Sequence, residues 1–257
     1  MHKTITVLLL VAALTTVAAA DAKPAATADA KGRGTPSAKP NTLTDAQKAA
    51  GWKMLFNGKD IKDWAVKSGE ATYKVVDGAI VGTTKKGSPN SFLTTREKFR
   101  DFELTFEVLL DSPELNSGVQ IRSKLRGDKF GGRVYGPQIE IEKSPGQSGF
   151  IYGEAAGGWQ SPEPKSKDKS VSTHKHFLNG KWNQYRVVAV GRKIQTFING
   201  KKVADLLYNE DRYKENPEGI IGLQVHGVGN RGPYSVRWRS LYLRKLDASD
   251  SVAKPKK

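Results

Sequence analysis

Residues able to exchange protons and to bind oxygen atoms recur on one face of three alternating segments of this sequence. In residues 101–123, 137–142 and 223–226, polar residues alternate with apolar ones. Carboxylates and imidazoles act as general acids and bases, guanidinium groups hold oxyanions through paired hydrogen bonds, and amides both donate to and accept from hydroxyls. The polar positions that carry such groups are Glu107, Gln120, Arg122, Gln138, Glu140, Gln224 and His226. We therefore expect these side chains to form one site.

The elements that position these residues are predicted to be strands. Alternation with a period of two residues is typical of antiparallel strands buried on one face. Asn-Gly and Asp-Gly dipeptides at 57–58, 77–78 and 199–200 indicate tight hairpin turns. One short helix is predicted at 44–51, and no strand–helix–strand rhythm follows it. The pattern predicts an all-β fold, an antiparallel β-sandwich or jelly roll. The segment 143–175 shows no strand pattern, and we expect a long functional or mobile loop there.

Composition divides the chain into four parts. Residues 1–20 have a basic start, an apolar run and a small-residue end, which is typical of a secretory signal peptide; an uncleaved anchor is the alternative. Residues 21–43 are rich in Ala, Lys, Pro and Gly and are expected to form a disordered linker. Residues 44–246 are expected to form one domain, followed by a polar tail at 247–257. We expect a periplasmic or secreted protein without a stable membrane anchor.

Charge and cysteine content narrow the range of functions. The chain of 257 residues has no cysteine, which excludes thiol catalysis and thiolate metal sites. It carries 42 Lys and Arg against 26 Asp and Glu, a net charge of +16. Such a charge can indicate nucleic-acid binding, but no recognition-helix pattern or RNA-binding aromatic motif accompanies it, so no nucleic-acid partner is expected. In an exported protein the charge favours solubility and attraction to anionic envelope polymers.

Neither a cofactor nor a metal ion is expected from the sequence. It contains no Gly-rich phosphate loop and no dinucleotide fingerprint, so a nicotinamide is not predicted. His174 and His176 have a spacing that places two imidazoles on one face of a strand, which can bind a metal. They occur in a segment rich in Lys and Ser without a matching carboxylate, so we predict no metal site there.

Seven motifs occur in order over residues 51–246: LFNGKDIKDW, NSGVQIR, YGPQIEI, GFIYGE, GKWNQYRV, FINGKKV and GLQVHG. Together they resemble the DUF1080 family, also called the 3-keto-disaccharide hydrolase domain. The resemblance implies a concanavalin A-like (lectin/glucanase) jelly roll whose polar concave sheet holds a carbohydrate site. It also implies an enzyme, a hydrolase acting on glycosides that are already oxidised at C3 of a sugar ring.

The implied substrate favours an eliminative route. A keto group at C3 acidifies the hydrogen at C2, so a base removes it, an enediolate forms, the aglycone leaves C1 and water adds back. The route needs a base, an acid at the leaving oxygen, and a cation or donor at the enolate oxygen. Glu107, Glu140 and His226 are the candidates for acid and base, and Arg122 is the candidate for the enolate. Oxidation at C3 requires a separate oxidoreductase.

Contacts with the carbohydrate substrate are expected from a second set of residues, some on strands and some on loops: Gln120, Gln138, Gln224, Tyr152, Glu154 and Trp159. Amides bind sugar hydroxyls, and aromatic rings stack on the apolar faces of sugars. Simpler roles stay open for several candidates. Glu107 and Glu140 could form salt bridges with Arg122, and Trp159 could pack within its loop. Asn116 fits a turn that leads into a strand.

Two other functions fit the same fold. A non-catalytic, lectin-like carbohydrate-binding module would suit the linker and the basic surface, but it needs aromatics and amides more than a titratable cluster. A conventional glycosidase would need a pair of carboxylates flanking the bond. Glu140 and Glu142 lie two positions apart on one strand face, so the sequence leaves this alternative open.

Overall fold

The computed structural model describes residues 39–161 and 173–247. The predicted signal peptide, the predicted linker as far as residue 38, and the predicted tail from residue 248 lie outside the described residues. Within the described ranges, no helix is long and apolar enough to cross a membrane.

Short strands make up most of the described chain, as the alternating pattern predicts. In chain order they are β1 (Lys53–Met54), β2 (Trp64–Lys67), β3 (Thr72–Val76), β4 (Ala79–Thr83), β5 (Ser91–Thr95), β6 (Phe102–Leu110), β7 (Ser117–Arg126), β8 (Arg133–Ile141), β9 (Ile151–Glu154), β10 (Gly158–Ser161), β11 (Asn183–Val190), β12 (Lys193–Ile198), β13 (Lys201–Leu207), β14 (Ile220–Val225) and β15 (Ser235–Lys245).

These strands form the two antiparallel sheets of a β-sandwich, which confirms the predicted fold class. Sheet A has the order β13-β12-β11-β6-β15-β4-β3, with β1 paired to β15. Sheet B has the order β10-β9-β8-β7-β14-β5-β2. The β3–β4 and β12–β13 hairpins turn at the predicted Asp-Gly and Asn-Gly dipeptides.

The core lies between the two sheets and is built from the apolar positions of the alternation. Leu104 and Phe106 on β6 belong to the same buried cluster as Val119, Ile139 and Leu223 on sheet B. Each fully buried side chain of this size contributes about 1.5–3 kcal/mol, so the apolar face of every strand is fixed inward. The polar positions between them must therefore face outward.

Helices are short. Helix α1 (Asp45–Ala49) begins at Thr44, whose hydroxyl accepts from the backbone of Gln47 in a capping box. It confirms the predicted helix. Helix α2 (Glu210–Glu215) precedes β14 and is capped by Asn209. A 3₁₀ turn at Lys129–Gly131 lies between β7 and β8.

The chain joins the domain before residue 44, where the predicted linker ends. Asn41 Nδ2 donates to the carbonyl of Gly78 at 2.7 Å, and Asn41 Oδ1 accepts from the amide of Ser240 at 2.8 Å. The backbone of Thr42 also donates to the Tyr242 hydroxyl at 3.0 Å. Local composition does not show these contacts, because their partners lie far away in the sequence.

The segment predicted as an irregular loop at 143–175 contains two strands. β9 and β10 extend sheet B at one edge, next to β8. Glycines interrupt the alternation here, at Gly153, Gly157 and Gly158, so the sequence shows no clear period of two. This correction matters for function because both strands line the pocket described below.

A bulge in β7 changes the direction of its side chains. Gln120 is the Cα partner of Gln138, whereas Lys124 is the partner of Tyr135, so β7 has one more residue than β8 between these pairs. Arg122 lies within this bulge and has a φ of +48°. A bulge shifts the alternation by one position, so residues before and after it no longer share a face by sequence parity.

Candidate functional site

A pocket of about 460 Å³ opens on the outer face of sheet B. We call it the site pocket. It brings together many of the residues that the sequence singles out: Gln138, Glu140, Tyr152, Glu154, Trp159, Gln224 and His226. Its remaining lining residues are Asn90, Asn116, Arg133 and Ala155.

Alternation on two strands aims the central side chains into the site pocket. On β8, Ile139 points into the core, so Gln138 and Glu140 point to the opposite face. On β14, Leu223 points into the core and Gln224 points outward. The sequence prediction for these strands therefore carries over directly to the site.

Gly118 makes room for the centre of the site pocket. In the strand register it lies between Glu140 and Gln224, as the Cα partner of both. A Cβ atom added at Gly118 would lie 2.5 Å from the side-chain amide carbon of Gln138. The Gln138 amide thus occupies space that any other residue at position 118 would fill.

Hydrogen bonds between side-chain amides connect the two carboxylates of the pocket. Gln138 Nε2 donates to Glu140 Oε2 at 3.1 Å and to Gln224 Oε1 at 3.3 Å. Gln224 Nε2 then donates to Glu154 Oε2 at 3.4 Å. Gln120 Nε2 donates to Gln138 Oε1 at 2.6 Å from below. Because each amide is held by its neighbour, their orientations are fixed in advance of any ligand.

Glu140 is a buried carboxyl with an elevated pKa. Burial away from water raises its pKa to about 8; hydrogen bonds from Asn116 and Gln138 oppose the shift, and the charges of Glu142 and Glu154 add to it. A carboxyl with this pKa is mostly protonated at neutral pH. Both carboxyl oxygens accept hydrogen bonds, from Asn116 and Gln138. None of the described residues accepts a hydrogen bond from this carboxyl, so its acidic proton is available to an acceptor in the pocket.

Glu154 has a different environment. The Arg133 guanidinium forms an ion pair with it, and Asn90 Nδ2 donates to it at 3.2 Å. Arg133 keeps 39% of its side chain exposed while Glu154 is buried, so the guanidinium lies at the pocket surface. Arg133 therefore offers a cation to a ligand in the site pocket, with Glu154 and the backbone of β8 holding it in position.

His226 lies at the end of β14 with one ring nitrogen engaged. Its Nδ1 lies 2.8 Å from the carbonyl of Gly227, which can only accept, so Nδ1 is the donor. The Gly227 amide donates in turn to Asn90 Oδ1 at 2.9 Å, which anchors this turn to β5. No described residue hydrogen-bonds to Nε2. In the neutral ring this nitrogen carries the lone pair, so His226 can accept a proton there.

Two aromatic residues form one wall of the site pocket. Tyr152 on β9 and Trp159 on β10 are Cα partners. Their rings pack edge to face, with centroids 5.2 Å apart and ring planes at 75° to each other. Both rings line the pocket. Aromatic faces of this kind pack against the C–H faces of sugar rings.

Glu107 does not reach the site pocket, which corrects the sequence prediction. It lies on β6 in sheet A, and Phe106 and Val108 beside it face the core, so its carboxylate points away from sheet B. There it accepts from Arg239 Nε at 2.9 Å. The period of two residues is the same in both sheets, so alternation alone could not show that β6 and β7 belong to different sheets.

Arg122 is also outside the site pocket. The bulge in β7 directs its side chain away from the site pocket, and the residue is almost fully buried, at 1% exposure. It donates to Asp101 Oδ1 at 2.9 Å and to the Gly191 carbonyl at 2.6 Å. Its guanidinium also lies over the ring of Tyr213. These contacts give Arg122 a structural role that joins β7 to residues around sheet A.

Gln120 supports the site pocket without lining it. It is fully buried and donates to Gln138, while its own Oε1 accepts from Ser123 at 2.6 Å.

The carboxylate pair that the sequence left open for a conventional glycosidase, Glu140 and Glu142, does not form in the site pocket. Glu142 accepts from the backbone of Gln147 and lies outside the lining.

The sequence prediction missed Asn90, Asn116 and Arg133. Asn116 lies an even number of positions before Gln120, in the turn that leads into β7. Extending the alternation of β7 back by one residue could therefore have placed Asn116 on the polar face. Asn90 precedes β5 and carries no motif. Arg133 follows the Gly-rich segment after β7, where no period indicates which way a side chain points.

His174 is engaged by the protein itself. Its Nε2 contacts the carbonyl of Ser148 at 2.6 Å, and its Nδ1 accepts from the amide of His176 at 3.1 Å. Burial lowers its pKa. The described residues contain no group of three or more His, Cys, Asp or Glu that could hold a metal ion.

The model of the 3-keto-α-glucoside-1,2-lyase-like domain family matches residues 51–244. The chain belongs to this family. The resemblance to the 3-keto-disaccharide hydrolase domain is thereby confirmed, and it places the chain among carbohydrate-related proteins. No curated protein matches the sequence.

Solved structures similar to this family member share its fold. A candidate glycosyl hydrolase from Parabacteroides distasonis has 19% identity and a TM-score of 0.56, covering 81% of this chain and 100% of its own. A galectin-like protein from Bacillus subtilis has 11% identity and a TM-score of 0.54, covering 76% and 94%. The carbohydrate-binding module CBM66 from Bacillus subtilis has 12% identity and a TM-score of 0.50, covering 71% and 96%. At these identities the similarity concerns the sandwich.

Proposed function

We propose that this protein cleaves the glycosidic bond of 3-keto-glycosides by elimination followed by hydration. One observation carries the proposal: a neutral carboxyl, Glu140, and a half-buried imidazole with a free Nε2, His226, share one pocket on the outer face of sheet B. Family membership supports the same chemistry. An acid and a base in separate protonation states are what an elimination across C1 and C2 requires.

In the proposed reaction, His226 Nε2 takes the proton from C2. The electron pair of the broken C2–H bond forms the enolate, whose negative charge on oxygen is stabilised by the Arg133 cation. The enolate then expels the C1 substituent as the C1–O bond breaks, and Glu140 gives its proton to the leaving oxygen. Water then adds across the resulting double bond. Glu140 takes a proton from the water as its hydroxyl bonds to C1, and the protonated His226 returns its proton to C2, so both residues regain their starting states. The products are the aglycone and a 3-keto-sugar.

The other pocket residues bind and orient the sugar in this proposal. Gln138 and Gln224 offer donors and acceptors to hydroxyls, and their positions are fixed by the hydrogen bonds between them. Tyr152 and Trp159 supply the face on which a ring stacks. We further propose that the protein is exported and receives its substrate from a separate oxidoreductase that oxidises C3.

The test uses a 3-keto-glucoside with a chromogenic aglycone beside its unoxidised parent. Wild type, His226→Ala and His176→Ala are compared, because His176 is an exposed histidine outside the site pocket. We expect release from the keto substrate alone, lost in His226→Ala and kept in His176→Ala.

Other outcomes would replace the proposal. Release from both substrates would indicate ordinary glycosidase chemistry with Glu140 and Glu154 as the carboxylates. No release from either substrate, together with measurable glycan binding, would indicate a non-catalytic carbohydrate-binding module.

A further inference from the structure

A second pocket, of about 470 Å³, lies at the opposite end of the same strands. It forms where β7 ends, where β14 begins and where the chain leaves β5. We call it the basic pocket, and the residues that characterise it are Lys98, Arg100, Lys124, Glu218, Leu125 and Ile220.

Positive charge dominates the basic pocket. Neither Lys98 nor Arg100 forms a side-chain hydrogen bond or an ion pair with any residue in the described ranges, and both are exposed. Lys124 Nζ donates to the backbone carbonyl of Glu215, which leaves its charge uncompensated. Glu218 is the single carboxylate among the lining residues. Three cations around a concave surface raise the local potential and attract anions.

The basic pocket is separate from the site pocket. Ile220 lies in its wall and packs in a buried cluster with Phe92 and Val134. Phe92 is the Cα partner of Gln224, so this cluster reaches from the basic pocket to the level of the site pocket. Gln224 follows Ile220 by four positions along β14, a distance of about 13 Å. The cations of the basic pocket therefore do not serve as catalytic groups.

We propose that the basic pocket is a second ligand site, which binds an oxyanion: a sulfate, phosphate or carboxylate group. Arg100 presents the planar donor pair that matches such groups, and the two lysines add positive charge. Leu125, Pro217 and Ile220 give the pocket an apolar side, which suits an oxyanion attached to an organic body such as an acidic sugar. The site does not depend on the proposed cleavage of 3-keto-glycosides.

Calorimetric titration of the full chain tests this site with four probes: inorganic sulfate, inorganic phosphate, a trimer of galacturonate and the neutral trimer of galactose. We expect the anions to bind and the neutral trimer not to bind in this pocket. Combining Lys98→Gln with Arg100→Gln should weaken anion binding by about tenfold or more, because charge-assisted hydrogen bonds are lost. Glu218→Gln should strengthen it, because the opposing charge is removed.

The matched control combines Lys53→Gln with Lys74→Gln, which removes the same charge from exposed positions on sheet A. An equal loss in this control, or no anion binding at all, overturns the proposal. Tighter binding of galacturonate than of sulfate supports the site and assigns it to acidic carbohydrate; equal binding supports it and assigns it to a free oxyanion. Glu140 lies in the site pocket, so Glu140→Gln should leave the titrations with inorganic sulfate and phosphate unchanged, and failure of the catalytic proposal is measured separately.

Discussion

Glu140 and Glu154 lie in one pocket and are connected through the amides of Gln138 and Gln224, but their surroundings differ. Glu154 faces the Arg133 guanidinium, whereas Glu140 receives hydrogen bonds from amides and has no cation partner among the described residues. The negative charge of Glu154 adds to the rise in the pKa of Glu140. A connected pair in unlike environments allows one carboxyl to stay protonated while the other holds a cation.

The pH dependence of the reaction should follow Glu140. Its pKa is about 8, and the proposed acid must be protonated, so kcat on the 3-keto substrate should fall as pH rises through about 8. Glu140→Gln removes the proton, and we expect kcat to drop by about 10²–10⁴-fold with loss of this limb of the profile. Stopped assays across the pH range measure both effects.

Glu107→Gln is the matched control for that experiment, since it makes the same change on sheet A, beside Arg239. It should keep the wild-type rate and profile. If Glu107→Gln lowers kcat as much as Glu140→Gln does, the assignment of the acid to the site pocket is wrong.

Glu140 should also make the free energy of unfolding depend on pH. Its folded pKa is raised from 4.5 to about 8, so the folded state binds the proton more tightly than the unfolded state does. The resulting stabilisation is fully present below about pH 4 and is lost as pH rises to about 8, amounting to about 3–5 kcal/mol. Glutamine at this position stays neutral, so Glu140→Gln lacks this pH dependence, and Asn116 can turn its amide over to suit the new side chain.

Urea denaturation at several pH values measures this difference. Relative to wild type, Glu140→Gln should become more stable toward alkaline pH. Parallel pH curves for the two proteins would show that Glu140 is not a high-pKa group in the folded state.

Two arginines should separate activity from folding. Arg122→Gln leaves Asp101 without its buried partner, and we expect the free energy of unfolding to fall by about 3–5 kcal/mol.

Arg133→Gln removes a half-exposed cation and should lower the free energy of unfolding by about 1 kcal/mol, while kcat per folded molecule falls by about 10²-fold. Arg133→Lys, which keeps the charge, should recover part of the rate. An Arg133→Gln enzyme with unchanged kcat would exclude this arginine from the reaction.

Gly118 should tolerate no side chain. Alanine there would place a Cβ 2.5 Å from the Gln138 amide carbon, so Gln138 must move and its bonds to Glu140 and Gln224 must break. We expect Gly118→Ala to lose about 1–3 kcal/mol of stability and most of the activity. Gly222→Ala is the control on the neighbouring strand, because its Cβ would meet its nearest atom at 3.4 Å, an ordinary contact. Equal effects of both substitutions would contradict the proposed role of Gly118.

The sequence by itself determined the sandwich and much of the pocket. Alternation on β8 and β14 depends only on which side chains avoid water, so Gln138, Glu140 and Gln224 could be placed on a polar face from their neighbours alone. His226 lies two positions after Gln224, so the same alternation predicted it on the polar face. Tyr152 and Glu154 were predicted as loop residues at the rim of the site, because the strand that carries them was not recognised among its glycines.

Only the tertiary structure decided which polar faces meet. Glu107 and Gln138 have the same local pattern, but strand pairing places them on different sheets. Arg122 has the parity of Gln120, yet one extra residue in β7 turns it into a buried ion pair. Arg133 has no pattern and reaches the pocket through its pairing with Glu154. A period of two residues fixes the face of a strand, whereas the sheet, the bulges and the partners depend on contacts between distant residues.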